Sequence, residues 1–123
     1  MLSLSLFLFG FAACQDGGNN TTYEQITAQD AKMIMETEKD YIIIDARTEE
    51  EFAEGHIEEA VLIPEYEISE RAEKELPDKD ALILVYCRSG RRSKIASEEL
   101  VKLGYNNVKE FGGIIDWPYE IVK

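Results

Sequence analysis

Apolar and polar residues fall into blocks of two kinds along the 123-residue chain: β-branched runs and four-residue stripes. Thr27, with Asp30 three residues on, predicts an N-cap opening a helix whose apolar residues are Ala31, Ile34 and Met35. Tyr41-Ile42-Ile43-Ile44 is a continuous apolar run ending at Asp45, as in a strand buried on both faces. Thr48 and Glu51 form a capping-box pattern for a short helix stopped by Gly55. Ala60 to Ile63 predicts another strand, ended by Pro64. Ile68, Ala72 and Leu76 make a helical stripe closed by Pro77. Ala81 to Tyr86 is the strongest strand pattern. A helix is expected from Ser93 to Leu103, with Ile95, Ala96, Leu100 and Leu103 inward and Gly104 just past its end. Asn107 to Phe111 predicts a last short strand. Strand–helix alternation of this kind predicts an α/β fold with a parallel sheet. Ligands in such sheets bind beyond the carboxyl ends of the strands. Two polar segments leave those ends: Asp45-Ala46-Arg47 and Cys87-Arg88-Ser89-Gly90-Arg91-Arg92.

The first residues do not fit this alternation. Met1 to Ala13 is uncharged, mostly Leu, Phe and Ala, and too short to span a bilayer of roughly 30 Å. It is read as a signal peptide, residues 1–13. Phe11-Ala12-Ala13-Cys14 resembles a bacterial lipobox, with Phe11 where Leu is usual and no basic residue before the apolar run. That resemblance implies lipidation at Cys14 and an exported protein of the cell envelope or periplasm, held to a membrane through the lipid alone. Residues 14–22 are small and polar and are read as a tether, with a globular domain over 23–123.

Composition narrows the function. The net charge of −12, from 25 acidic and 13 basic residues, excludes a general binder of nucleic acid or anionic membranes. One His and two distant Cys exclude a zinc site of several Cys and His ligands, and no metal or cofactor is expected. Glu49 to Asp80 carries 13 of the 25 acidic residues, which reads as solvated helix faces.

The chemistry concentrates after the strongest strand. Cys87 is expected as the first residue past it, Ser89 and Gly90 permit a tight loop, and a helix begins immediately after. Helix N-terminal amides and the positive dipole end then face the sulfur. Arg88, Arg91, Arg92 and Lys94 add four cations within seven positions. All of these favour thiolate, which is the nucleophilic form of cysteine. Attack on an external donor also requires a sulfur that is not sealed from solvent. The same amides and guanidiniums suit an incoming oxyanion.

Cys87-Arg88-Ser89-Gly90-Arg91-Arg92-Ser93 resembles the Cys-x-x-Gly-x-Arg-Ser loop of the rhodanese family of sulfurtransferases. Ile44-Asp45-Ala46-Arg47, Glu51-Phe52, Gly55-His56-Ile57, Ala60 and Ile63-Pro64 resemble its upstream signature, and Gly104-Tyr105, Val108, Gly112-Gly113 and Trp117 its closing one. Glu59 departs from the family's Gly, a change expected to matter little. The resemblance implies a rhodanese-like parallel sheet flanked by helices on both faces. It implies Cys87 as the catalytic residue, carrying a persulfide, and Arg88 through Ser93 as the substrate-binding loop, with Arg92 directed at the loop or the substrate. Asp45, Arg47 and His56 are expected as structural support, Asp45 pairing with Arg47 or with backbone. The partners implied are a small sulfur donor such as thiosulfate, a thiol or cyanide acceptor and, for an exported protein, a periplasmic redox partner. Two alternatives stand beside this. One is a non-catalytic binding or regulatory module. The other is a cysteine phosphatase or arsenate reductase, which is disfavoured because position 93 is Ser and Arg92 lies only five residues after Cys87.

Overall fold

A computed structural model describes residues 22–123. The expected signal peptide, Cys14 and all of the tether but Thr22 lie outside the described residues. Five strands form one parallel sheet: β1 (Glu24–Gln25), β2 (Ile42–Asp45), β3 (Val61–Leu62), β4 (Ile83–Cys87) and β5 (Val108–Gly113). Their spatial order is β1-β5-β4-β2-β3. Between them run α1 (Ala28–Thr37), α2 (Glu49–Glu54), α3 (Ile68–Glu75) and α4 (Arg91–Lys102).

The strand sequences explain the layers. Alternate residues of a strand face opposite sides. Ile44, Ile83, Val85 and Cys87 join Ile68 and Ala72 of α3 and Ala96 and Leu100 of α4 in one core. Ile43, Leu84, Tyr86 and Phe111 join Ala31 of α1 and Trp117 in the other. Helices therefore cover both faces, which is why β2 and β4 read as unbroken apolar runs. Both expected capping boxes form, Thr27 with Asp30 and Thr48 with Glu51.

Several sequence expectations change. β1 is an added strand that no apolar pattern marks, since Glu24 and Gln25 are both exposed and make only an edge pairing with β5. β4 runs to Cys87, so the cysteine ends the strand instead of following it. α4 begins at Arg91, not Ser93, because Gly90 at φ 109° supplies the left-handed turn into it. Its buried stripe is Ser93, Ala96, Ser97 and Leu100, a spacing of three and four. Ile95 and Leu103, both expected inward, are only half-buried.

Glu59 also matters more than its sequence position implied. It is the only non-glycine at positive φ among the described residues, at 72°. Glycine adopts that conformation without the Cβ clash a glutamate incurs.

Candidate active site

Cys87 reaches the carboxyl end of the sheet at an irregularity in pairing. β4 and β5 keep register through Val85 with Glu110, then shift so that Cys87 faces Gly113. Bulges of this kind re-aim a side chain at a sheet's rim. The chain then reverses, and the Gly90 N–H donates to Cys87 Sγ at 3.0 Å. Arg91, Arg92 and Ser93 follow as the first turn of α4, whose N–H groups have no acceptor within the helix. Cations in a first helical turn oppose the helix dipole. Their presence is not explained by the stability of the helix itself.

Cys87 itself is 1 % exposed, against the expectation of an open sulfur. Its side chain belongs to the same core as Ala96 and Leu100, and the Gly90 amide closes over it. The rim is different: Arg88, Ser89 and Arg91 are exposed. The guanidiniums of Arg88 and Arg91 have no ion pair or hydrogen bond among the described residues.

Arg92 does not turn to its own loop. Its Nη1 and Nη2 donate to Glu51 Oε1 and Oε2 at 2.8 and 2.9 Å. The same Oε1 accepts from the Thr48 N–H and hydroxyl, both at 3.1 Å. Hydrogen bonds from Arg92 come first among the influences that hold the Glu51 carboxyl at about 2. Sequence reading found Glu51 only as a helix cap and a family residue; no local signal marks its second partner.

Ser93, expected among the substrate-binding residues, is fully buried and supports the loop instead. Its hydroxyl lies 2.5 Å from Glu110 Oε2 and 3.0 Å from the Gly90 carbonyl. Glu110 Oε2 also accepts from the Gly112 N–H at 2.9 Å. This buried carboxylate ties β5 to the first turn of α4, a role sequence reading missed. Gly113 is close packed against the loop: a Cβ there would stand 2.0 Å from the Arg88 carbonyl oxygen. That oxygen accepts from the Ile115 N–H at 3.2 Å. Gly113 thus lets the end of β5 lie close against the Cys87 loop.

Asp45 and Arg47 sit at the neighbouring strand end and pair with each other. Arg47 Nη2 donates to Asp45 Oδ2 at 2.8 Å and to the Gly55 carbonyl at 2.6 Å. The Tyr86 hydroxyl donates to Asp45 Oδ2 at 2.5 Å and accepts from the Ile57 N–H at 3.0 Å. Burial, then the Asp45 charge, push the Tyr86 hydroxyl's pKa well up, so it stays a neutral donor. His56 stacks on Phe52 with ring centroids 3.7 Å apart, and its Nδ1 bonds the Phe52 carbonyl at 2.9 Å. Nothing joins His56 to the sulfur.

A parallel sheet with helices on both faces, and a cysteine at a strand end followed at once by a helix, defines an α/β domain. The rhodanese-like domain matches residues 27–118, and the chain belongs to that family. It is 40 % identical over 80 residues to the thiosulfate sulfurtransferase PspE of Escherichia coli (strain K12), covering 65 % of this chain and 77 % of that one. It is 35 % identical over 96 residues to a putative mitochondrial thiosulfate sulfurtransferase of Schizosaccharomyces pombe, covering 68 % of each. Among solved structures, a rhodanese with anions from E. coli superposes with a TM-score of 0.64 at 37 % identity, over 68 % of this chain and 98 % of that one.

Proposed function

We propose that the chain is a sulfurtransferase working through a Cys87 persulfide, with thiosulfate or a similar sulfane-sulfur anion as donor. The Cys87 thiolate attacks the outer sulfur, the sulfur–sulfur bond of the donor breaks, and sulfite leaves with the bonding pair. Cys87 then carries a terminal sulfur with one negative charge. A thiolate or cyanide attacks that sulfur and releases the Cys87 thiolate, completing a two-step cycle. The Gly90 N–H on Sγ at 3.0 Å carries the proposal: it is a fixed donor aimed at the atom that must hold charge. Arg88 and Arg91, exposed and unpaired among the described residues, supply a cationic mouth for the donor's charged head. The names of the relatives, two of them thiosulfate sulfurtransferases and one a rhodanese holding anions, support the same chemistry.

Cys87 is buried under its own loop. The proposed attack therefore requires the loop over Cys87 to open before a donor sulfur reaches Sγ. The test is thiocyanate formation from thiosulfate and cyanide. Wild type is expected to turn over and Cys87→Ser to be inactive. Full turnover by the serine variant would overturn the mechanism. A second reading, a binding module without catalysis, draws on the 1 % exposure of Cys87. Absence of thiocyanate from the folded wild type would favour it.

Placement follows the N-terminal sequence. Lipidation at Cys14 would hold the domain at the cell envelope, where a periplasmic thiol partner would take the sulfur. Palmitate incorporation into wild type but not Cys14→Ser is the expected result, and no label on wild type would remove the anchor.

A further inference from the structure

Arg92 stands in the first turn of the helix that follows Cys87, yet its guanidinium is committed elsewhere. Two parallel N–H···O bonds to Glu51 use the fork that would otherwise grip an oxyanion. Glu51 is fixed in turn by the Thr48 N–H and hydroxyl, so the clamp is anchored on α2 and does not drift with the loop. The Glu51 carboxyl, at about 2, remains ionised at any neutral or mildly acid pH. Arg92 is held further toward its charged form, first by its hydrogen bonds to Glu51. Two of the three loop guanidiniums thus point to solvent, and the third is neutralised by Glu51.

We propose that Glu51 is a specificity-determining residue: it withholds Arg92 from the loop after Cys87 and so disfavours phosphate and arsenate there. An anion such as phosphate or arsenate would need several oxygens matched at once, and the fork of Arg92 that suits this is already held by Glu51. A sulfane-sulfur donor presents one sulfur ahead of its charged head. Its charged head would meet the exposed Arg88 and Arg91. The identity of the favoured donor rests on the sulfurtransferase reading; the effect on phosphate does not.

The experiment follows the Gly90 amide resonance during titration with inorganic phosphate, which requires no turnover. Glu51→Gln keeps an acceptor for the Thr48 cap, since Gln serves in capping boxes, but loses the bidentate grip on Arg92. It is expected to bind phosphate at least tenfold more tightly than wild type. The double variant Glu51→Gln/Arg92→Ala is expected to lose that gain. Glu51→Asp, one methylene shorter, is expected to move the same way by about threefold and serves if the glutamine variant misfolds. Binding no tighter in either Glu51 variant, or a gain that survives removal of Arg92, would overturn the proposal. Failure of thiocyanate formation by wild type would instead sink the sulfur-transfer reading and leave this comparison intact.

Discussion

Two adjacent strand ends, Asp45 on β2 and Cys87 on β4, carry the same kinds of residue and put them to different use. At the first, every charge is answered. Asp45 accepts from Arg47 and Tyr86, Arg47 also bonds the Gly55 carbonyl, and all three side chains are buried. At the second, a buried sulfur accepts one amide while Arg88 and Arg91 stand exposed and unpaired among the described residues. A network that satisfies itself is scaffold. One that leaves cations over at the mouth of a helix N-terminus is where we propose an anionic donor docks.

The comparison breaks most visibly at Asp45. Asp45→Ala strands Arg47 as a buried, unpaired charge and is expected to cost about 3–5 kcal/mol of stability in chemical denaturation. Activity per folded molecule should fall little. A loss of turnover without a loss of stability would move Asp45 from scaffold to chemistry. The opposite split is expected at the mouth. Arg88→Ala/Arg91→Ala should lower kcat/KM for thiosulfate about tenfold at low salt, an effect of about 1.4 kcal/mol. The penalty should shrink as salt screens the charges, with melting unchanged. A melting temperature that falls with activity would make these arginines structural. The smallest effect is expected away from both sites. Glu59→Gly should relieve the backbone at φ 72° and add about 0.5–1 kcal/mol, read as a rise in melting temperature. A fall would mean that the glutamate is not strained there.

What the sequence disclosed and what it hid divide along the same physical line. Residues whose roles depend on near neighbours were legible. The capping boxes at Thr27 and Thr48, the apolar runs of β2 and β4, and the Cys87–Gly90 turn all have signals within a few residues. Roles created by tertiary contact were not. Glu51 reaches Arg92 across 41 residues, and Glu110 reaches Ser93 across 17. Each resembles an ordinary acidic residue in the linear chain. Gly113 has an extended φ of −125°, so its need for glycine comes from the Arg88 carbonyl packed against it and not from its own backbone. Burial of Cys87 was hidden in the same way, because α4 and the Gly90 amide close over it only once the sheet has formed.

The most direct measurement is the intact mass of the protein after incubation with thiosulfate, without an acceptor. The account expects a gain of roughly 32 Da, one sulfur, located on Cys87, removed by cyanide and absent from Cys87→Ser. An unchanged mass in the folded wild type, or an adduct that persists in the serine variant, would contradict it.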